Sequence, residues 1–277
     1  MTPIPSYPMN DDRTIPALGF GTYQLRGEEG IAAIVAALHT GYRLLDTALN
    51  YGNEREVGEA IRRSGVPRED ITVTTKLPGR HHGFESALAS FEESRANLGL
   101  DYVDLYLIHW PLPRVDKYVD TWRAMIQLRK QGLVRSIGVS NFTPAYLTRL
   151  VEETGVAPAV NQIELHPRFP QAALREFNLT LGIVTESWSP LARQHPVADE
   201  PAVVAAAEAH GVTPAQVVLR WHIQLGAVPV PKSADATRQA ENFDVFGFTL
   251  TDAELASISA LESGRLWDGD PETHEEF

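Results

Sequence analysis

The stretch Tyr42-Arg-Leu-Leu-Asp46-Thr-Ala-Leu-Asn-Tyr51 ends an apolar run with a carboxylate and a phenol. The run has the character of a buried strand, in which charged side chains are rarely found unless they are paired. The polar cluster at its carboxyl end therefore indicates either a cap on the next helix or a chemical site. Spacing alone favours capping by Asp46.

Short apolar runs of this kind alternate with helical patterns from residue 17 onward. The predicted strands are Leu18–Gly21, Arg43–Asp46, Thr72–Lys76, Val103–His109, Ser136–Ser140, Ala159–Ile163, Ile183–Glu186 and Ala227–Val230. They look buried on both faces, which is typical of a parallel sheet. Eight such units favour a single α/β domain over residues 1–277, a (β/α)8 TIM barrel, for which about 250 residues is typical. A doubly wound open sheet is the alternative, but the third glycine of its dinucleotide fingerprint is missing after Gly19-Phe-Gly21.

The two ends of the chain depart from this alternation. An N-terminal β-hairpin is predicted between Ser6 and Ile15, packed as a lid or plug. Near the C-terminus we expect an extra helix between Pro201 and Gly211, and two helices after Val230. The acidic tail that follows, Asp268 to Glu276, is predicted to be solvated; the alternative is that it folds across the mouth of the barrel and selects substrates.

Composition excludes several classes of function. The 277 residues contain no cysteine, so disulfides, thiolate metal sites and cysteine nucleophiles are excluded. A formal net charge of −12 argues against a nucleic-acid partner, because phosphate backbones are bound by clustered Lys and Arg. No apolar run approaches the ~20 residues of a membrane-spanning helix. We therefore expect a cytoplasmic protein without a membrane or nucleic-acid partner.

Polar or aromatic residues follow almost every predicted strand. In a barrel the carboxyl ends of the strands meet at one face, so these side chains should converge. Taken singly, each has an ordinary structural explanation: Lys76 could extend to solvent, and His109 could be a hydrogen-bonded core residue. Their joint position on successive strand ends favours one chemical site.

Several of these segments resemble signatures of the aldo-keto reductase family, in the family's order and over nearly the full length. They are Asp46-Thr-Ala-Leu-Asn-Tyr51-Gly-Asn-Glu54, Leu107-Ile-His109-Trp-Pro111, Ile137-Gly-Val-Ser-Asn-Phe142, Asn161-Gln-Ile-Glu-Leu-His-Pro167 and Val230-Pro-Lys-Ser233. The compact loops and short tail are most similar to small bacterial members of the 2,5-diketo-D-gluconate reductase type.

The resemblance implies a catalytic tetrad of Asp46, Tyr51, Lys76 and His109. The residue types support these roles. A free phenol has a pKa of about 10, and a neighbouring ammonium should lower it and make Tyr51 a better acid. Asp46 can compensate the burial of Lys76. His109, if neutral, can donate a ring N–H to a carbonyl oxygen.

Such a tetrad contains no hydride source, so the resemblance also implies a nicotinamide cofactor. The implied cofactor-binding residues are Gly21, Thr22, Tyr23, Ser140, Asn141, Gln162, Trp188, Ser189, Leu191, Lys232, Ser233, Arg238, Glu241 and Asn242. Ser140, Asn141 and Gln162 match positions that hold the carboxamide, and Trp188 matches the ring on which the nicotinamide stacks. An Arg and a Lys at the adenosine end suit a 2′-phosphate, so we expect NADPH and no metal.

The substrate pocket is predicted to be lined by Tyr23, Leu49, Trp110 and Trp267, and the protein to act as a monomer on small carbonyl compounds. The adjacent pair His81-His82 is expected in a solvated loop. Two alternatives remain open. One is a non-catalytic or redox-sensing NADP(H)-binding protein of the same fold; the other, less favoured, is a metal-dependent barrel hydrolase.

Overall fold

The computed structural model describes residues 4–192 and 197–276. Two antiparallel strands, β1 (Ser6–Pro8) and β2 (Thr14–Pro16), precede a parallel eight-stranded sheet. The eight strands are β3 (Phe20–Gly21), β4 (Leu44–Asp46), β5 (Thr72–Leu77), β6 (Val103–Ile108), β7 (Val134–Ser140), β8 (Val160–Glu164), β9 (Val184–Trp188) and β10 (Ala227–Pro229). They neighbour one another in sequence order.

The sheet is closed by backbone hydrogen bonds between its first and last strands. The N–H groups of Gly19 and Gly21 donate to the carbonyl oxygens of Pro229 and Pro231, each at 3.0 Å. The predicted (β/α)8 barrel is therefore confirmed. The predicted strand boundaries differ by a few residues: β7 begins two residues earlier, and β9 continues two residues further, to Trp188.

Helices follow the barrel strands. They are α1 (Gly27–Thr40), α2 (Glu54–Ser64), α3 (Phe84–Leu98), α4 (Tyr118–Lys130), α5 (Pro144–Thr154), α6 (Ala172–Thr180), α7 (Pro201–His210), α8 (Pro214–Gln224), α9 (Ala236–Phe243) and α10 (Asp252–Ser259). The predicted extra helix is α7. Capping boxes are formed at Thr213 and Thr251, and each satisfies backbone N–H groups at a helix start.

No single helix in the described part of the chain is long and apolar enough to cross a membrane. Helices α7 and α8 meet that length and composition test only when they are taken together, and they are bent by 95°. Trp122 on α4 and Trp221 on α8 are fully buried, as expected for core residues.

The amino-terminal end of the barrel interior is apolar. Its buried residues include Leu44, Leu105, Leu107, Val160, Val184 and Val228. Tyr7 and Met9 of the hairpin pack against this cluster, and the Tyr7 hydroxyl donates to the Ile223 carbonyl at 2.7 Å. The hairpin is thus the plug that the sequence predicts, and it closes the end opposite to the strand carboxyl termini.

Candidate active site

A buried ion pair lies at the carboxyl ends of β4 and β5. Asp46 pairs in register with Thr74, and Lys76 is two residues further along, so both side chains face the barrel interior. Lys76 Nζ donates to Asp46 Oδ1 at 2.6 Å and to the Thr47 carbonyl at 2.9 Å. Burial alone would lower the pKa of Lys76, but the Asp46 carboxylate and the nearby Tyr51 raise it above its usual range. Lys76 is therefore an ammonium at neutral pH.

Tyr51 ends a 3₁₀ turn, Leu49–Tyr51, which follows β4. Its hydroxyl lies 3.5 Å from Lys76 Nζ, and the ammonium is 5.1 Å from the ring centroid. Burial raises the pKa of Tyr51 to about 12, although Lys76 acts to lower it. The expected net lowering is therefore absent, because burial outweighs the ammonium. The phenol keeps its proton at neutral pH and is available as an acid.

A second buried carboxyl group, Glu186 on β9, shares this region. Gln162 Nε2 donates to Asp46 Oδ1 at 2.8 Å and to Glu186 Oε2 at 2.9 Å, so both of its N–H bonds are directed at carboxyl groups. The side-chain amide oxygen of Gln162, Oε1, is then the atom that this residue can offer to a ligand. Burial and, after it, the Asp46 carboxylate raise the pKa of Glu186 well above its usual range.

The side chains after β7 and β9 are fixed by their own hydrogen bonds. Asn141, at φ 62°, donates from Nδ2 to the His109 carbonyl at 3.0 Å and to Ser140 Oγ at 2.9 Å. Ser140 Oγ donates to the backbone carbonyl oxygen of Gln162 at 2.8 Å, and Trp188 Nε1 donates to Asn141 Oδ1 at 2.9 Å. These residues form one preorganised group beside the ion pair.

His109 follows β6 and faces both Tyr51 and the end of the chain. Its ring centroid is 6.0 Å from that of Tyr51. On its other side, His109 Nδ1 lies 2.6 Å from Glu276 Oε1. Burial would raise the pKa of Glu276, but His109, Asn50 and the Gly79 N–H stabilise the carboxylate and lower it. Glu276 is therefore ionised beside the tetrad.

The carboxyl-terminal tail, residues 265–276, folds across the mouth of the barrel. The Leu266 N–H donates to the buried Glu164 Oε1 at 2.8 Å, the Trp267 ring packs 5.5 Å from that of Trp188, and the His274 ring lies 4.1 Å from that of Trp110. The prediction of a solvated end is wrong, because these contacts bury apolar surface and satisfy buried polar groups that the sequence alone does not connect.

The tail and the strand ends enclose a cleft of about 820 Å³. The predicted site residues that line it are Gly21, Tyr23, Asp46, Tyr51, His109, Trp110, Asn141, Gln162, Trp188, Ser189, Leu191, Lys232 and Trp267. Lys76, Thr22 and Ser140 lie beneath its surface, fully buried. Leu49 does not line the cleft; the 3₁₀ turn directs it into a separate surface groove beside α1 and α2.

The predicted adenosine end is less enclosed. Ser233 caps the turn before α9 by accepting the Asp235 N–H at 3.1 Å, and Arg238 lies in the first turn of α9 with Glu241 and Asn242 beyond it. Within the described ranges, the side chains of Lys232 and Arg238 make no ion pair or hydrogen bond. Both cations are therefore available to an anionic ligand. Glycine at position 21 permits the close approach of the Val230 backbone, because a Cβ at residue 21 would lie 2.8 Å from the Val230 carbonyl oxygen.

The pair His81-His82 differs from its prediction. His82 is 5% exposed, its ring nitrogens make no hydrogen bond of regular geometry with the residues that the structure describes, and burial lowers its pKa to about 4. His81 accepts or donates at Nδ1 with Ser90 Oγ at 2.8 Å. The prediction that this pair lies in a solvated loop is therefore wrong for His82. Among the described residues, no group of three or more His, Cys, Asp or Glu side chains is arranged to hold a metal ion.

Comparison with known proteins assigns the family. Residues 17–263 match the model of the aldo/keto reductase family. The chain is 60% identical, over the full length of both proteins, to 2,5-diketo-D-gluconic acid reductase B of Corynebacterium sp. (strain SHS752001). This chain belongs to the aldo/keto reductase family.

Solved structures agree with this assignment. The chain is 48% identical to an aldo/keto reductase from Brucella melitensis, with a TM-score of 0.90 over 94% of this chain and 100% of that one. It is 36% identical to a Bombyx mori aldo-keto reductase crystallised in complex with NADP, with a TM-score of 0.92 over 100% of this chain and 99% of that one.

Sequence reasoning missed three carboxyl groups at the site: Glu164, Glu186 and Glu276. Glu186 and Glu164 left a signal, because a Glu within or directly after a strand that is predicted to be buried needs a partner. Glu276 left none that spacing could show, since its partner Asn50 is 226 residues away.

Proposed function

We propose that this chain reduces small aldehydes and ketones with NADPH, and that Tyr51 donates the proton. As a member of the aldo/keto reductase family it is an NADP-dependent oxidoreductase. The observation that carries the finer proposal is the position of the Lys76 ammonium, 2.6 Å from Asp46 Oδ1 and 3.5 Å from the Tyr51 hydroxyl, with the His109 ring centroid 6.0 Å from that of Tyr51.

The residues present fit a phosphorylated nicotinamide cofactor. Gln162 can present its side-chain amide oxygen as an acceptor for a carboxamide, and Trp188 lines the cleft. Lys232 and Arg238 are cations whose side chains make no ion pair or hydrogen bond with the described residues. When bound, the reduced cofactor supplies the hydride that the side chains lack. An Arg fork suits a phosphate better than a hydroxyl, which supports the preference for NADPH.

The side chains supply the proton and the orientation. As hydride reaches the carbonyl carbon, the Tyr51 hydroxyl gives its proton to the carbonyl oxygen, which completes the alcohol. The Lys76 ammonium stabilises the phenolate that remains, and this stabilisation grows with the negative charge on the oxygen. Asp46 keeps Lys76 charged and in place. His109 lines the same cleft and orients the carbonyl oxygen by a hydrogen bond.

The substrate class rests on the shape of the cleft and on the relatives. Tyr23, Trp110, Trp188 and Trp267 make its walls aromatic, which suits a small organic carbonyl compound. The 60% identical relative is named as a reductase of 2,5-diketo-D-gluconic acid, so diketones and sugar keto acids belong in a substrate panel beside simple aldehydes. A single barrel domain over residues 1–277, a monomeric state, a cytoplasmic location and the absence of nucleic-acid and membrane partners remain predictions.

The test is the substitution Tyr51→Phe, which removes the acidic hydroxyl and keeps the ring. We expect the rate of carbonyl reduction to fall ~10²-fold or more, because a general acid is lost, while the affinity for NADPH changes little. NADPH oxidation over the carbonyl panel measures the rate, and cofactor titration measures the affinity. Tyr102→Phe, at the ring that stacks with Arg68 away from the cleft, is the matched control. Near-normal turnover of Tyr51→Phe would refute the assignment.

A further inference from the structure

We propose that Glu276 is a positioning residue for His109: its carboxylate holds the imidazole at Nδ1 and so decides which ring nitrogen can donate to the substrate. The proposal deepens the proposed function and rests on it for the role of His109.

The Glu276 carboxylate is held by groups from three separate loops. Oε1 accepts from Asn50 Nδ2 at 2.5 Å, in the turn after β4, and Oε2 accepts from the Gly79 N–H at 3.0 Å, after β5. Oε1 also lies 2.6 Å from His109 Nδ1, after β6. Two hydrogen-bond donors, together with an imidazole nitrogen at ion-pair distance, define the position of this carboxylate closely and keep it ionised.

Gly79 admits the tail to this position. A Cβ at residue 79 would lie 2.2 Å from the backbone oxygen of Glu276, a distance that a side-chain carbon cannot adopt. The two backbones therefore approach closely, and the Gly79 N–H donates to Glu276 Oε2. Both contacts fix the position of the end of the tail.

The tail is also anchored without Glu276. The Leu266 N–H donates a hydrogen bond to the buried Glu164, and the His274 ring packs against that of Trp110 at a tilt of 45°. Glu275 lies 3.5 Å from Arg114, at the surface. A substitution of Glu276 should therefore leave most of the tail docked, so that its effect reports on His109 rather than on loss of the tail.

The contact has a direct consequence for the imidazole. A carboxylate beside Nδ1 favours a proton on that nitrogen, and in a neutral ring the other nitrogen is then an acceptor. His109 could donate to a carbonyl oxygen through Nε2 only when the ring carries a second proton, with Glu276 as its counter-charge. In the absence of Glu276, the neutral ring could place its proton on Nε2.

The geometry leaves room for this bond to tighten. Nδ1 is buried and within ion-pair distance of the carboxylate, yet the approach is off the direction of a regular hydrogen bond. Catalytic hydrogen bonds in ligand-free structures are often poorly aligned and improve when the substrate complex forms. The other ionisable groups around Glu276 are His82, His274 and Tyr51, and each is influenced by its charge or influences it.

The test measures the imidazole directly. The full chain, labelled with ¹⁵N in its histidine rings and saturated with NADPH, is studied by NMR as wild type, Glu276→Gln and Glu276→Ala. The His109 signals are assigned by their loss in His109→Asn. In wild type we expect a protonated Nδ1, and in Glu276→Ala a shift of the proton toward Nε2. Glu275→Gln removes the same charge one residue away and should leave the His109 signals unchanged.

Kinetics give the second measurement. We expect kcat for an uncharged aldehyde to fall roughly 10-fold in Glu276→Ala, because the imidazole is less well oriented, with an NADPH Kd within about 2-fold of wild type. Glu276→Gln, whose amide oxygen can still accept from Nδ1, should recover part of that loss. Unchanged His109 signals in both Glu276 variants, or changed signals with wild-type kcat, would overturn the proposal. Because the NMR signals do not depend on turnover, a failure of Tyr51 as the proton donor would be seen separately.

Discussion

The two ends of the barrel interior are built from the same strands but from opposite kinds of residue. Interior positions alternate along a strand, so the residue two places on faces the same side. Along β4 the interior residue changes from Leu44 to Asp46, along β8 from Val160 to Gln162, and along β9 from Val184 to Glu186. Two residues along each of these strands therefore separate an apolar layer of the barrel interior from a polar and charged layer.

This difference separates stability from chemistry along the barrel axis. The apolar end is sealed by the hairpin and gains free energy from burial. The other end holds two carboxyl groups and an ammonium away from water, an arrangement that costs desolvation and is compensated only by pairing. Substitutions at the two ends should therefore affect different properties, and three experiments examine this.

The largest effect is expected for Lys76→Met, at the charged end. In the proposed mechanism the ammonium stabilises the phenolate, so its loss should lower kcat/KM ~10²-fold or more. It also leaves the buried Asp46 carboxylate without a counter-charge, which should cost roughly 3–5 kcal/mol of unfolding free energy. NADPH-oxidation kinetics and urea unfolding measure the two losses. Adding Asp46→Asn should restore part of the stability and none of the activity; recovery of both would contradict the assigned role of Lys76.

An intermediate effect, on stability alone, is expected for Leu105→Ala at the apolar end. Leu105 is 1% exposed, so truncation should leave a cavity and cost ~2–5 kcal/mol. Because the hydrophobic layer lies below the cleft, kcat and KM should stay within about 2-fold of wild type. Leu179→Ala, at a leucine 77% exposed on α6, is the matched control and should change stability little. A large kinetic defect in Leu105→Ala would show that the two layers are coupled.

The smallest effect is expected for Glu186→Gln, and it depends on pH. Burial and the neighbouring Asp46 raise the pKa of Glu186 in the folded protein above its unfolded value. The folded state then binds more protons than the unfolded state above the unfolded pKa, so this group reduces stability as pH rises through that range. The gain in Tm from Glu186→Gln should be larger at pH 8 than at pH 5.5. Glu176→Gln, on the exposed face of α6, is the control. An equal gain in Tm at both pH values would mean that Glu186 is already ionised at pH 5.5 in the folded protein.

Much of the barrel could be predicted from the sequence, since it depends on local periodicity, and one rule, that parallel strand ends meet, predicted that the polar side chains at those ends converge. Asp46, Lys76 and His109 each end a predicted strand, so the rule brought them together. The catalytic roles of the tetrad were implied by the family resemblance and not by spacing. The tail could not be predicted, because it has neither helical nor strand periodicity and its contacts with Asn50 and Glu164 are long-range. His82 follows a Pro-Gly turn, and the Trp110 backbone and Glu276, which lie beside it in the folded chain, are far from it in sequence.

The placement of the tryptophans gives the molecule a built-in optical signal. Of the five, Trp110, Trp188 and Trp267 line the cleft, while Trp122 and Trp221 are sealed in the core. Reduced nicotinamide absorbs where tryptophan emits, so a cofactor in the cleft should quench the emission of the three lining rings by energy transfer and leave the two core rings less affected. Fluorescence of the unmodified chain can therefore follow cofactor binding and the docking of Trp267 without any added label.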